Sequence, residues 1–162
     1  MADNRVFLVS CVAGKATTAQ PARMLYVSDW FSKARAYVEA TGRPWFILSA
    51  LHGIMRPDRI VEPYDFTWRK DDPTDPDDRV RRQTWSRITA SCLRDCAPES
   101  ARLVVLAGGD YREFLVPALK CRGFAVEVPM AGLGIGQQKQ WLMAHTPSPV
   151  EQIGLFDLAI SS

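Results

Sequence analysis

Val6-Phe7-Leu8-Val9-Ser10-Cys11 is a short, continuous apolar run that closes on two small polar side chains, and its reading decides the fold class. A strand with one face in water alternates apolar and polar residues. This run does not, so it predicts a strand covered on both faces, as in a parallel sheet. Pro44-Trp45-Phe46-Ile47-Leu48-Ser49-Ala50 and Arg102-Leu103-Val104-Val105-Leu106-Ala107 have the same character and lead into small residues and glycine. They predict two more central strands. Phe124-Ala125-Val126-Glu127-Val128-Pro129 is shorter and alternates, which predicts a strand nearer the sheet edge.

Between these runs the apolar spacing is helical. Residues 28–41 set Phe31, Ala34, Tyr37 and Val38 on one stripe, and residues 79–96 set Val80, Trp85, Ile88 and Leu93 on another. Ser28 can cap the first segment, and Asp75, Asp77 and Asp78 bring negative charge to the start of the second. Residues 110–121 and 136–144 supply two further helices. Strand and helix thus alternate along residues 1–162. This predicts one α/β domain, three-layered and Rossmann-like, with a mainly parallel sheet of about four to five strands flanked by helices.

The chain is long enough to form such a core unaided: a domain of its 162 residues buries roughly 70% of the surface its unfolded form exposes. Its 20 basic and 18 acidic residues leave a net charge of +2, too small for a general nucleic-acid-binding surface. No apolar run reaches the roughly 18 residues of a membrane span, and the opening residues lack a secretory signal, so a cytoplasmic protein with no membrane partner is expected. Cys11, Cys92, Cys96 and Cys121 read as free thiols rather than a disulfide framework. Cys92 and Cys96 would share a helix face, but no second pair follows at zinc-ligand spacing, and His52 and His145 are too few for a histidine metal centre. No metal and no cofactor are expected.

Ligands of open parallel sheets bind at the carboxyl ends of the strands. The residues there are Ser10 and Lys15 after the first strand, Ser49 and His52 after the second, Gly108, Gly109 and Tyr111 after the third, and Gly134, Gly136, Gln137 and Gln138 after the fourth. Gly132, Gly134 and Gly136 run from a strand into a helix, where backbone N–H groups can approach an anion. The alternative is a turn whose glycines serve tight packing. The spacing is not that of the dinucleotide fingerprint. Gln137 and Gln138 offer adjacent amides that suit a base edge or a sugar hydroxyl. Gly14-Lys15-Ala16-Thr17-Thr18 is not a P-loop, because Val9 and Ser10 stand where its first glycine would fall, yet Lys15 can still serve as a point charge for phosphate.

Residues 52–76 hold Pro57, Pro63, Pro73 and Pro76 and no sustained period, which predicts a long functional loop. His52 opens it as an acid/base candidate, and Glu62 and Asp65 can carry a carboxylate over the site. The run Arg69-Lys70-Asp71-Asp72 reads as a solvated face, and the apolar tail at residues 153–160 as a segment that docks on the body.

Ser10-Cys11 with Lys15, Leu25-Tyr26-Val27-Ser28 with Phe31, Leu48-Ser49-Ala50-Leu51-His52-Gly53 with Pro57, and Tyr64-Asp65 resemble a family of short prokaryotic and phage proteins of unknown function. Gly108-Gly109-Asp110-Tyr111 and Gly134-Ile135-Gly136-Gln137-Gln138 with Trp141-Leu142 extend the resemblance over most of the chain. The segment from Leu48 to Asp65 is also similar, more distantly, to the YaaA-type peroxide-stress proteins, which are associated with DNA. Neither resemblance implies an established reaction.

The residues lead to an expectation of a small enzyme acting on a nucleotide, a nucleoside or a base in nucleic acid, by glycosidic or phosphate-linked group transfer or hydrolysis. His52 and Asp65 would handle protons; Ser10 and Lys15 would meet phosphate; Gly134, Gly136 and Gln137 would hold the anionic or base portion. The alternative is a non-catalytic nucleotide- or nucleic-acid-binding module that uses Arg79, Arg81, Arg82 and Arg87 for phosphates and Trp68 or Trp85 for stacking. Against it, Trp85 at helical spacing also reads as core and the arginines as helix solvation. Self-association is compatible with either reading.

Overall fold

The computed structural model describes residues 3–68 and 74–148. In chain order its elements are β1 (Arg5–Ser10), β2 (Gln20–Pro21), α1 (Ala22–Leu25), α2 (Asp29–Ala40), β3 (Trp45–Ser49), β4 (Gly53–Met55), β5 (Ile60–Val61), α3 (Asp78–Cys96), β6 (Arg102–Leu106), α4 (Gly109–Cys121), β7 (Ala125–Glu127) and α5 (Ile135–His145). Five strands form one sheet in the order β4-β3-β1-β6-β7. In this sheet the pairings of β1 with β3, β1 with β6 and β6 with β7 are parallel, and β4 runs antiparallel to β3. The continuous apolar runs are the three central strands, and the alternating run lies at an edge, as their patterns predict. Val6–Ser10 are all buried, because helices cover both faces of the sheet.

On one side α2 packs against α5 and β1; α3 packs against α4 and β4. Ser28 caps α2, its Oγ accepting the Phe31 backbone N–H at 3.1 Å, and the predicted stripe of Phe31, Ala34, Tyr37 and Val38 is buried. The core centres on Phe7, Phe31, Leu8, Ile47, Leu48, Leu103, Leu106 and Leu115, each under 2% exposed. Truncating one such leucine to alanine costs about 2–5 kcal/mol.

The buried face of α3 differs from the predicted stripe. Val80 and Ile88 are each 59% exposed, while Asp78, Arg82, Trp85, Ser86, Thr89, Ala90 and Leu93 face inward. The cause is a buried ion-pair group. Arg82, one turn after Asp78, donates from Nε to Asp78 Oδ2 at 2.8 Å and from Nη1 to Glu113 Oε2 on α4 at 2.7 Å. Once paired, an arginine can occupy a core position, so the helix is rotated away from the orientation its apolar residues alone would choose.

The segment predicted as a long loop carries local structure. β3 reverses into β4 through a turn that brings Gly53 to φ 72°, a left-handed conformation suited to glycine, and β5 pairs antiparallel with β2. β4 and β5, three and two residues long, lie in the stretch whose prolines leave no sustained period to mark them. From Glu62 to Trp68 the chain is irregular. The run Arg69–Asp72, Pro73 and the apolar tail at 153–160 lie outside the described residues. Among the described residues no helix is long and apolar enough to cross a membrane.

Candidate functional site

From β1 the chain moves to β3 on one side of it and later enters β6 on the other. Successive connections therefore diverge at the carboxyl ends of β1 and β6, which opens a crevice at the topological switch point. A cleft of about 250 Å³ lies there. Ser10, Cys11 and Val12 form its floor at the end of β1, Gly108, Asp110 and Tyr111 one wall at the start of α4, and Trp30, Thr67, Trp68, Ile135 and Gln138 the remainder. A hollow of similar volume, about 260 Å³, lies between Arg94, Glu99, Arg122, Gly123 and Phe124, at the opposite, amino ends of β6 and β7.

Two indoles line the cleft and a third packs on Trp68, and the three differ in how their N–H groups are used. Trp30 Nε1 donates to Gln138 Oε1 at 2.9 Å, and Gln138 Nε2 donates to Leu133 O at 2.9 Å, which ties α2 to the start of α5. Trp85, behind the cleft, donates to the Ser49 carbonyl at 2.9 Å. Trp68 is 8% exposed, and its Nε1 is buried with no hydrogen-bond partner. Edge-to-face contacts join Phe66, Trp68, Trp85 and Tyr111 in a row, with ring centres 5.5, 6.2 and 5.5 Å apart.

A second polar cluster shares Cys11 and Tyr111 with the cleft. Cys11 Sγ lies 3.1 Å from the Tyr111 hydroxyl and 3.8 Å from that of Tyr64. The Tyr64 hydroxyl is in turn 2.7 Å from both the Tyr26 hydroxyl and Ser49 Oγ, and Ser49 Oγ accepts the His52 backbone N–H at 3.1 Å. Burial pushes the Tyr64 hydroxyl up to about 12 and raises Tyr26 and Tyr111 well above the ordinary phenol range. These hydroxyls remain protonated donors at neutral pH. Lys15 Nζ sits 4.4 Å from the centre of the Tyr64 ring, and the His52 ring meets it edge-on at 4.9 Å. Burial, and then the Arg59 charge, lower His52 below the ordinary imidazole value, so its ring is neutral at pH 7.

Of the residues predicted for the site, Ser10, Gly108, Tyr111 and Gln138 come together in the cleft. Lys15, Ser49 and His52 gather around Tyr64, outside its lining. Asp65 is exposed on the loop, and Gly109 lines a separate hollow with Arg112 and Glu113. Gly134, Gly136 and Gln137 form the exposed start of α5, where Gln137 Oε1 accepts the Gly134 N–H at 3.0 Å and so closes its own helix cap. Of the three glycines there, only Gly132, at φ 79°, has a backbone that calls for one. A Cβ at Gly108, Gly109 or Gly136 would meet nothing within 4 Å among the described residues, so tight packing does not account for them.

The phosphate-binding arginine set of the alternative reading loses Arg82 to its buried ion pairs. Arg81 pairs with Asp75 at 3.2 Å, and Arg79 lies 5.6 Å from the Phe114 ring centre. Sequence reasoning left Cys11, Asp110, Trp30 and Tyr64 without a role. Cys11 and Asp110 carried a usable signal: each belongs to the first residues after a buried strand, the place where the topology puts ligands.

A family model described as a family of unknown function, DUF6884, matches residues 6–144. No curated protein matches the chain.

Proposed function

The chain belongs to the DUF6884 family, and we propose that it is a small α/β enzyme acting on a nucleotide, a nucleoside or a base within nucleic acid. One observation carries this reading: the cleft at the switch point has aromatic walls, Trp30, Trp68 and Tyr111, beside a carboxylate, Asp110. Its volume of about 250 Å³ falls below the usual range of drug-sized pockets, about 300–1,000 Å³, and suits a base with its sugar. Aromatic faces hold such a base by stacking. Gly108 lines the cleft, and a Cβ there would meet nothing within 4 Å among the described residues, which leaves room for a sugar or phosphate to approach.

The reaction is glycosidic or phosphate-linked group transfer or hydrolysis. Asp110 takes the carboxylate role that the sequence suggested for Asp65, because it lines the cleft and Asp65 does not. A carboxylate beside a sugar carbon stabilises an oxocarbenium-like transition state or activates water. Ser10 and the protonated Tyr111 hydroxyl supply donors to the leaving or attacking oxygen. His52 and Lys15 act through the Tyr64 ring they flank, as positioning residues.

The test is incubation with nucleosides, nucleotides and short oligonucleotides at low and moderate salt, with thermal shift and chromatography of released base or phosphate. A salt-insensitive shift with turnover, abolished in Asp110→Asn with the shift retained, is expected. Stabilisation by oligonucleotides only, fading with salt and without turnover, would replace the enzyme with a binding module.

A further inference from the structure

Two arginines of α3, the helix from which the sequence suggested phosphate contacts, are held by carboxylates: Arg81 by Asp75, and Arg82 by Asp78 and Glu113. Another set of arginines is not. A groove of about 570 Å³, against about 250 Å³ for the cleft, has in its lining Arg23 on α1, Arg35 and Glu39 on α2, Arg43 and Trp45 at the entry to β3, and Pro57 after β4. Because β1 and β3 run parallel, this groove at the amino end of β3 lies at the opposite end of the sheet from the cleft. Among the described residues none of Arg23, Arg35 and Arg43 is in an ion pair, and Glu39 is the one carboxylate in the lining. Two of the guanidinium groups are nevertheless held in place. Arg35 Nη1 donates to the Arg23 carbonyl at 3.1 Å, and Arg43 Nε donates to the Arg5 carbonyl at 3.5 Å. A carbonyl orients a guanidinium without cancelling its charge, and a side chain fixed before its ligand arrives loses less entropy on binding.

We propose that this groove binds the phosphodiester backbone of a single-stranded nucleic acid. The proposal concerns a second site and does not depend on what occupies the cleft. Its cations are all arginines, whose planar forks match phosphate oxygens in pairs where a lysine offers a point charge. They come from α1, α2 and the entry to β3 and surround more space than one phosphate fills, which suits successive phosphates of a strand better than a lone ion. Trp45 places an indole in the same lining, and an unpaired base can stack on an indole where a base inside a duplex cannot. The net charge of +2 does not oppose this, because at ordinary salt each charge acts over about 10 Å and the clustered arginines set the local field.

Fluorescence anisotropy of a short labelled single-stranded DNA, titrated with the whole protein between about 50 and 200 mM salt, tests this. Three neutralised phosphates give a slope of about −2 in log affinity against log salt, so affinity should fall about twenty-fold over that range. The duplex of the same sequence should bind more weakly. Arg23 is exposed, so Arg23→Gln keeps the fold; it should weaken binding and reduce the slope by about 0.7. Arg87→Gln removes the same charge from an exposed position on α3 and should change neither. Absence of binding at about 50 mM salt, a duplex bound as tightly as the single strand, or equal losses in Arg23→Gln and Arg87→Gln would each overturn the proposal. So would tighter binding to vesicles of anionic lipid than to the oligonucleotide.

Discussion

The Tyr111 hydroxyl lies 3.1 Å from Cys11 Sγ, joining the first turn of α4 to the residue that follows β1. The two residues stand on opposite sides of the point where the chain's connections diverge, and the contact spans the floor of the cleft. It is a local tether across a crevice that the fold itself creates. Tyr111→Phe removes it and leaves the thiol, among the described residues, with the long contact to Tyr64 at 3.8 Å. A loss of about 0.5–1.5 kcal/mol is expected, read as a lower urea midpoint at unchanged slope.

The sequence has four tyrosines, Tyr26, Tyr37, Tyr64 and Tyr111, and in the folded protein all are raised above the ordinary phenol value, with burial the first cause for each. The folded state thus keeps phenolic protons that the unfolded chain gives up near pH 10. Stability from this source is fully present below about pH 10 and is lost as pH rises towards the folded values, about 12 for Tyr64. An ultraviolet titration should show little tyrosinate at pH 10 and a steep rise only as circular dichroism reports unfolding. Ordinary titration of the phenols in the folded protein would contradict the buried hydroxyl cluster.

Arg82 is the buried charge on which the orientation of α3 depends. Arg82→Ala leaves Asp78 buried without its cation, and a destabilisation of about 3–5 kcal/mol is expected in denaturant unfolding. Replacing both partners, as in Asp78→Leu with Arg82→Met, should cost much less, because no unpaired charge remains in the core. Equal losses would mean that packing, not charge, holds this helix face.

His52 has a lowered value from burial and then from Arg59, so its folded form binds fewer protons than the unfolded chain just below the ordinary imidazole value of about 6.5. Its contribution to stability is complete above about pH 6.5 and is lost as pH falls through the folded value. Nuclear magnetic resonance titration of the His52 ring should give a midpoint below 6.5, and Arg59→Gln should move it upward. A midpoint at or above 6.5 would show the ring to be solvated rather than packed on Tyr64.

Much of the architecture was legible in local patterns. The contrast between the continuous runs at Val6 and Leu103 and the alternation at Phe124 separates central strands from an edge strand, because burial on one face or two is written directly into hydrophobic periodicity. The rotation of α3 was not legible. Val80 and Ile88 look inward-facing until Arg82 is known to have carboxylate partners, one of them, Glu113, far along the chain on another helix. β4 and β5 were hidden because they lie in a proline-rich stretch without a sustained period.

The same limit applies to the site. The rule that ligands meet the carboxyl ends of strands pointed at Ser10, Gly108, Tyr111 and His52; the first three line the cleft, and His52 lies beside Tyr64. Nothing in the local sequence of Tyr26, Ser49, Tyr64, Cys11 and Tyr111 shows that their polar atoms meet. Their meeting is a product of tertiary packing. Gln137 shows a second local role: its side-chain oxygen caps its own helix, which the sequence alone did not show.

The most direct test of the central claim, that the switch-point cleft binds a nucleoside, is a nuclear magnetic resonance titration of the nitrogen-labelled protein with inosine. Backbone signals of Ser10–Val12, Gly108–Tyr111 and Ile135–Gln138 should shift together with the indole N–H signals of Trp30 and Trp68. Shifts confined to the exposed arginines of α3, or no shifts at saturating nucleoside, would contradict the account.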